Sequence, residues 1–276
     1  MQAEQLLRAG NLDECLAELQ KQVRSDPSNA KLRVFLFQVY CVRGEWEKAL
    51  TQLNVAGELD AANLLMVQVY RPALMCEALR AEVFAGGRTP LVFGEPPQWI
   101  GLLIQANQHV AQRNYRAAQE LREQAFEAAP AAAGSIDGKP FTWIADADTR
   151  LGPVLEAIID GKYYWVPFTC IRQVRFEAPA NLRDTVWALG QFIWSNGGDS
   201  IGLIPTRYPG SEADPDAAVQ MARLTKWIEC EGSTFIGQGQ RMLATDAGEF
   251  MLLDVRRLMI GPDAESRGGD VAGGGA

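Results

Sequence analysis

The first half of the chain carries apolar residues at helical spacing, and the pattern repeats. When the sequence is shifted against itself by 34 residues, Gly10 aligns with Gly44, and apolar positions that follow the glycine align as well. The aligned apolar pairs are Leu12 with Trp46, Leu16 with Leu50, and Leu19 with Leu53. Apolar residues three and four positions apart lie on one face of a helix. The spacing therefore predicts pairs of amphipathic helices joined by short turns.

A period of 34 residues is that of the tetratricopeptide repeat, in which two helices pack as a hairpin with a tight turn that glycine permits. The pattern predicts a shortened unit ending at Asp26-Pro27 and a full unit over residues 30–61. A weaker unit lies 69 residues beyond the full one, and Arg113-Asn114 replaces its turn glycine. Between these two units, residues 64–84 predict an irregular helical insertion that Pro72 starts or kinks.

Stacked repeats of this kind leave a concave surface that usually holds a peptide or helix of another protein. Candidate partner-binding residues on it are Val34, Gln38, Cys41, Leu103 and Asn107. The alternative is that the second half of the chain fills this groove, so that the same residues form core between the two halves. The substitution Val34→Asp separates the two: weaker partner binding without unfolding indicates an open groove, and unfolding indicates core.

In the second half, helical periodicity gives way to short aromatic and β-branched runs between turn residues, which is typical of strands. Strands are predicted at residues 141–144, 163–168, 171–176, 186–194, 201–206, 234–236 and 250–255. Helices are predicted at residues 151–159 and 214–230. The second of these can be capped by Asp214, with Pro215 in its first turn.

Together these patterns predict an α+β chain. Tetratricopeptide-like α-helical repeats occupy residues 1–133, and a smaller, mixed, mostly antiparallel β domain with helices follows over residues 134–260. Residues 261–276 are rich in glycine and poor in apolar side chains, and they are predicted to be a disordered tail. Since so few repeats seldom form a free-standing solenoid, we expect the β-rich half to complete the helical structure.

Charge narrows the possible partners. The 276 residues carry a formal net charge of −8, and 47 % of them are hydrophobic, which suits a folded protein with a sizeable core. Nucleic-acid binding needs clustered Lys and Arg, which an acidic chain does not favour. The first residues lack the basic and apolar regions of a signal sequence, so none is predicted, and no uncharged apolar segment of about eighteen residues is present. We therefore expect a cytoplasmic protein without a nucleic-acid or membrane partner.

The residues that carry most enzyme chemistry are sparse. His109 is the single histidine, at a helix position where a packing residue is expected, and the five cysteines form no C-x-x-C pair. No catalytic triad, metal site or cofactor motif is predicted. The remaining candidates are Asp146 and Asp148. On a strand they could share a metal or a proton in a carboxylate-dependent hydrolase, and on a turn they would cap the following segment.

Aromatic residues of the second half can be core or interface anchors. We predict that Trp165 and Trp187 lie in the core. Tyr208, in an Arg-Tyr-Pro-Gly turn, is predicted to be exposed and to contact a partner.

Four stretches carry a resemblance to a known family. They are Gly-Lys-Tyr-Tyr-Trp-Val-Pro-Phe at 161–168, Leu-Arg-Asp-Thr-Val-Trp at 182–187, Gly-Leu-Ile-Pro-Thr-Arg-Tyr-Pro-Gly-Ser at 202–211, and Phe-Thr-Trp-Ile-Ala-Asp-Ala-Asp-Thr-Arg-Leu-Gly-Pro at 141–153. Residues 205–211 and 143–153 are the most specific parts. In these stretches the chain resembles the ImpE/TagJ family, and the resemblance extends from residue 1 to about residue 260, leaving the tail outside.

The resemblance implies an accessory protein of bacterial type VI secretion that is cytoplasmic and not an enzyme. It implies binding to a helical segment of the small subunit of the contractile sheath, TssB, with an effect on sheath assembly or recycling. No cofactor is implied. The family has no short binding motif to carry over, so the partner-binding residues named above rest on the repeat pattern, and the oligomeric state is left open.

Overall fold

The computed structural model describes residues 2–261, which contain eight α-helices and fourteen β-strands. The helices are α1 Gln2–Arg8, α2 Leu12–Ser25, α3 Ala30–Val42, α4 Trp46–Leu59, α5 Leu64–Phe84, α6 Gln98–Ala111, α7 Tyr115–Ala128 and α8 Ala217–Gln220. With most helices in the first half and most strands in the second, the structure confirms the predicted α+β class. Apart from Gly261, the predicted tail lies outside the described residues.

Three helical hairpins occur where the repeat pattern predicts them: α1 with α2, α3 with α4, and α6 with α7. Each turn contains one residue in the left-handed region, and these are Gly10, Gly44 and Arg113, with φ of 87°, 68° and 59°. The third unit thus keeps the turn conformation although it has lost the glycine. Helix α5 is the predicted insertion, and Pro72 lies inside it rather than at its start. No helix within residues 2–261 is both long and apolar enough to cross a membrane.

The substitution Arg113→Gly should stabilise the protein. A side chain in the left-handed region costs about 1–2 kcal/mol, whereas glycine adds about 0.5–1 kcal/mol of freedom to the unfolded chain. We therefore expect a net gain of about 0.5–1 kcal/mol in the free energy of unfolding, measured with urea. Gly44→Ala is the matched control with the opposite sign, because its φ is 68° and the added Cβ would overlap the Glu212 side chain. A loss of stability in Arg113→Gly would contradict this account of the turn.

The strands form one large sheet and two small ones. They are β1 Leu91–Val92, β2 Gly134–Ile136, β3 Lys139–Phe141, β4 Ile144–Asp146, β5 Val154–Ile159, β6 Lys162–Pro167, β7 Ile171–Phe176, β8 Trp187–Trp194, β9 Asp199–Pro205, β10 Thr225–Cys230, β11 Thr234–Gly239, β12 Met242–Thr245, β13 Gly248–Met251 and β14 Arg257–Ile260. The nine-stranded sheet has the order β1-β6-β5-β9-β8-β7-β14-β2-β3, a second sheet has the order β13-β12-β4, and β10 pairs with β11. Only the β1–β6 pair is parallel within residues 2–261, which agrees with the predicted, mostly antiparallel pairing.

Neither helix predicted in the second half forms over most of its predicted range. Residues 151–159 contain strand β5, whose six residues are all buried between β6 and β9. A continuous apolar run suits a central strand better than a half-exposed helix. Of residues 214–230 only the short helix α8 forms. It is capped by Asp216 rather than Asp214, it is followed by Ala222 at a φ of 53°, and β10 comes next.

The nine-stranded sheet lies between two apolar cores. One face packs against the helices, and Trp165 and Trp187, both fully buried, join that core as predicted. The Trp187 ring lies 5.8 Å from the Tyr70 ring and 5.9 Å from the Trp46 ring. The other face packs against the small sheet through residues such as Leu243. The helical half therefore shares its core with the sheet, and a domain boundary at residues 133/134 stays a prediction.

Candidate functional site

The second half of the chain covers part of the concave surface predicted to bind a partner, at Gln38 and Cys41. Gln38 and Cys41 are 7 % and 0 % exposed, and the side-chain oxygen of Gln38 accepts a hydrogen bond from the backbone N–H of Arg183 at 3.1 Å. That contact places the 3₁₀ turn Leu182–Thr185 against α3. Val34 stays partly exposed. At Gln38 and Cys41 the arrangement matches the alternative in which the second half fills the groove.

Leu103 and Asn107, on α6, also face inward. Their exposed fractions are 0 % and 2 %, and the Asn107 amide donates a hydrogen bond to the carbonyl of Val83 on α5 at 2.8 Å. Partner contact at these two residues, and at Gln38 and Cys41, would require neighbouring elements to separate. Contact at all five groove positions stays a prediction, and Val34 alone among them is partly open to solvent.

The predicted exposure of Tyr208 is wrong, because its side chain is fully buried. The hydroxyl donates to Asp146 Oδ1 at 3.0 Å and accepts from the backbone N–H of Met242 at 2.9 Å. A Cβ added at Gly237 would overlap the tyrosine ring, so this glycine makes room for it. A turn rich in Pro and Gly indicates where the chain reverses, but not which side of the turn faces the core.

Arg207, which precedes Tyr208 in the sequence, connects the second half of the chain to helix α3 by hydrogen bonds. Its Nη1 donates to the carbonyl of Val42 at 2.6 Å and also to that of Gln220, while Nη2 donates to the carbonyl of Cys41 at 3.2 Å. Cys41 and Val42 end helix α3, where unpaired carbonyls and the helix dipole favour a cation. Residues 205–211, one of the two most specific family stretches, therefore act here as a structural tie between the two halves of the chain.

A buried network of charges centred on Glu156 lies next to Arg207. Arg80 donates to both carboxylate oxygens of Glu156, at 2.6 and 3.0 Å, and Tyr163 donates to one of them at 2.5 Å. Arg80 also donates to the carbonyl of Arg207 at 2.6 Å and pairs with Glu77 at 3.3 Å. The network thus joins helix α5 to strands β5 and β6, and bidentate pairing of this kind holds a fixed geometry.

Arg241 extends the network from Glu156 to Asp146, pairing with both carboxylates. Burial alone would raise the pKa of Glu156, but the charges of Arg80 and Arg241 outweigh it and lower the pKa to about 2. Burial raises the pKa of Asp146 to about 6 although Arg241 opposes the shift, and the nearby Asp148 raises it further. Asp146 therefore ionises less readily than an ordinary aspartate, chiefly because it is buried.

Asp146 is the last residue of strand β4 and Asp148 lies in the turn that follows, so the two are not two positions of one strand. The Asp148 N–H donates to Asp146 Oδ1 at 2.9 Å, and Asp148 in turn accepts from the Arg150 side chain at 2.6 Å and from the Gly237 N–H at 2.8 Å. Both carboxylates are buried and already bonded. Within residues 2–261 no group of three His, Cys, Asp or Glu side chains could hold a metal ion. The arrangement fits the capping interpretation and leaves the hydrolase alternative without an accessible carboxylate pair.

Sequence reasoning missed the residues at the centre of this network, Arg80, Glu156 and Arg241. Glu156 did carry a signal, because it is the single charge in the apolar run Val154–Ile159. Charged residues are almost never fully buried unless they are paired. Arg241, which lies 85 residues away in sequence, carried no local sign that it supplies the pairing charge.

Comparisons with known proteins agree with the resemblance carried by the four sequence stretches at 161–168, 182–187, 202–211 and 141–153. A family profile described as ImpE protein matches residues 138–259. A curated Pseudomonas aeruginosa protein, the type VI secretion system accessory component TagJ, is 51 % identical over 262 residues, which cover 95 % of this chain and 92 % of that protein. A crystal structure of a Vibrio parahaemolyticus protein covers 96 % of this chain and 100 % of its own, with a TM-score of 0.86 and 22 % identity, and supports the fold alone.

Proposed function

This chain belongs to the ImpE/TagJ family, and on that premise we propose that it is a cytoplasmic, non-enzymatic accessory component of a bacterial type VI secretion system. The observation that carries the proposal is the 51 % identity to the Pseudomonas aeruginosa accessory component along nearly the whole chain. The buried, fully bonded Asp146 and Asp148 are consistent with a role in binding rather than catalysis.

The partner in this proposal is the small subunit of the contractile sheath, TssB, held through one of its helical segments. Helical repeat proteins commonly hold helices or extended peptides. Binding of this kind would influence how sheath subunits assemble or are recycled. The partner is thus a protein, with no nucleic acid or membrane involved.

The proposal is tested by titrating this protein with the purified small sheath subunit in isothermal calorimetry. We expect saturable binding, and we expect a synthetic peptide spanning the bound helix to compete for it. The purified large sheath subunit is the control and should give no comparable heat. In cells, deletion of the gene for this protein should change the number or length of fluorescent sheaths. Absence of binding to the small subunit, with both proteins folded, would refute the partner assignment.

A further inference from the structure

The two-stranded ribbon β10–β11 points its unpaired backbone groups outward from both of its edges. In an antiparallel pair, alternate residues direct their N–H and C=O groups at the partner strand, and the residues between them direct these groups away. The N–H of Gln240 donates to the carbonyl of Leu224 at 2.9 Å, in register with the paired residues of the ribbon. Even-numbered residues therefore form the ladder, and odd-numbered residues of both strands face outward.

The outer edge of β11 is covered by the two most specific family stretches. These stretches accept hydrogen bonds from three outward backbone N–H groups: Phe235 to Thr149 Oγ1 at 3.0 Å, Gly237 to Asp148 Oδ2 at 2.8 Å, and Gly239 to Ser211 Oγ at 2.7 Å. Residues 143–153 and 205–211 thus hold the ribbon by its β11 edge, which leaves the opposite edge to β10.

The outer edge of β10 is open. Within residues 2–261 this strand pairs with β11 alone, and its outward residues Thr225, Trp227 and Glu229 make no backbone hydrogen bond on the other side. The Trp227 and Ile228 side chains are 39 % and 44 % exposed, so solvent reaches the edge. The edge offers a donor and an acceptor at every second residue. Another β-strand pairs such a row in full.

The other open edges in the described part of the chain are shorter. Strand β1 has two residues, β3 has three including Pro140, and β13 has four. Short strands and prolines protect a sheet edge from pairing with another chain, and so does an exposed lysine. Strand β10 has six residues and no proline, and its Lys226 is held by Asp214 at 3.0 Å and Asp216 at 3.4 Å. It is therefore the least protected edge.

A second copy of β10 matches this edge. Antiparallel pairing about a twofold axis at Trp227 sets this residue opposite the second copy's Trp227, and Thr225 opposite the second copy's Glu229. All of these residues are odd-numbered, so every outward donor meets an acceptor. The exposed tryptophans lie together at the centre, and Ile228 lies opposite the second copy's Lys226. Aromatic pairs across strands stabilise a sheet.

The charges around the edge permit this pairing. They are Arg223, Lys226, Asp214, Asp216, Glu229 and Glu231, with a local sum of −2. Arg223 donates to carbonyls of α1 and the turn that follows it, and Lys226 binds both aspartates. The two copies of Glu229 would lie four residues apart along the strands, about 14 Å, which exceeds the screening length of about 8 Å at physiological salt. No like charges face each other directly.

We propose that two copies of this chain pair along their β10 edges, antiparallel and about a twofold axis, to form a four-stranded sheet in the order β11-β10-β10-β11. An interface of one strand per copy is small, so the dimer is weak and reversible. This inference goes beyond the proposed function and does not depend on which secretion component the chain binds.

Sedimentation velocity of the full chain, from low to high micromolar concentration, tests the proposal. We expect the wild type to shift from monomer toward dimer, and more so as salt rises, because the charge beside each edge is acidic. Glu229→Pro removes one outward N–H from each copy without touching the β10–β11 ladder, so the dissociation constant should rise about tenfold. The matched control Glu229→Ala keeps this N–H and should dimerise at least as well as the wild type.

A second variant replaces the residue on the twofold axis. Trp227→Lys sets two lysines directly opposite each other and should weaken the dimer at least tenfold. Its control is Ile201→Lys, which alters an isoleucine that is 65 % exposed on β9 of the large sheet and should dimerise like the wild type. Thermal unfolding shows whether each variant is folded at the temperature of the assay.

Cross-linking tests the register and leaves Trp227 in place. Directly paired residues of this kind have Cα atoms about 5.5 Å apart, which a disulfide can span. The double variant Thr225→Cys, Glu229→Cys should therefore give a disulfide-linked dimer under mild oxidation, seen by non-reducing electrophoresis. Neither single variant should do so, because each new cysteine would face an unlike residue. The wild type, with its five native cysteines, is the control.

Three results would overturn the proposal. The first is a wild-type chain that stays monomeric at high micromolar concentration. The second is a dimer that persists unchanged in both Glu229→Pro and Trp227→Lys, since its contact would then lie elsewhere. The third is a monomeric wild type whose binding to the small sheath subunit is weakened by Glu229→Pro, which would assign the edge to a strand of that partner. In the first two cases, intact binding of the subunit leaves the proposed function standing.

Discussion

The substitution Arg241→Met should lower the free energy of unfolding by about 3–5 kcal/mol, the usual result of removing one partner from a buried ion pair. Methionine roughly preserves the volume, but Asp146 and Glu156 lose the guanidinium that they share, and all three side chains are almost fully buried. Urea denaturation measures the loss. The control Arg116→Met removes an exposed arginine on α7 and should change stability by no more than about 0.5 kcal/mol.

The pH dependence of Arg241→Met gives an independent check. In the wild type the pKa of Glu156 is lowered to about 2, so its stabilising contribution is present above the unfolded value of about 4.3 and is lost as pH falls toward 2. Without Arg241, the pKa of Asp146 should rise further, because burial then acts without that opposing charge, whereas Glu156 keeps its pairing with Arg80. The variant should therefore regain stability relative to the wild type between about pH 7 and pH 5.

Combining Arg241→Met with Asp146→Asn should recover part of the loss, because one uncompensated charge disappears. The double variant also provides a folded form for measurement if the single variant unfolds. A loss below about 1 kcal/mol that does not depend on pH would contradict the network described above.

Arg207→Ala should destabilise the protein by about 2–4 kcal/mol, because it removes charge-assisted hydrogen bonds and leaves buried carbonyls without a donor. The carbonyls of Val42 and Gln220 lose this donor, and that of Cys41 keeps only the backbone N–H of Gly44. Arg207→Lys keeps the charge but cannot reach all of these acceptors, so we expect an intermediate loss. Hydrogen exchange at the end of α3 should accelerate in Arg207→Ala before exchange elsewhere does.

The control for this prediction is Arg172→Ala, at an exposed position on β7, which should leave stability within about 0.5 kcal/mol of wild type. The partner-binding assay supplies the second readout. Arg207→Ala that keeps wild-type stability but binds the small sheath subunit more weakly would show that residues 205–211 form a binding surface. Our interpretation of them as a structural tie would then be wrong.

The repeats could be predicted because their determinants are local. The positive φ at Gly10 and Gly44 and the apolar spacing around them act within a single hairpin, so a shift of the sequence against itself finds them. The degenerate turn at Arg113 was located in the same way, by an offset of 69 residues from the full unit. The strands β7 and β8 were likewise predicted to within one residue, because alternation and turn residues bound them on both sides.

The errors came from residues whose structure depends on distant neighbours. Strand β5 has no polar face of its own, because β6 and β9 cover its flanks and apolar cores cover its faces. Tyr208 is drawn inward by Asp146, which lies 62 residues earlier in the chain. The sequence also could not decide whether the concave surface of the repeats is open or covered. The residues that contact α3, Arg183 and Arg207, lie well over a hundred residues later in the chain.

The large sequence separation between Arg207 and helix α3 also matters during translation. Arg207 follows Val42 by 165 residues. At translation rates of about 5–20 residues per second, α3 leaves the ribosome roughly ten to thirty seconds before the arginine that satisfies its last carbonyls. Helices form in about a microsecond, so the hairpins can fold long before the second half of the chain is available to pack against them. During that interval the apolar surface of the nascent repeats is exposed to solvent. A chaperone that binds the nascent protein would contact this surface first.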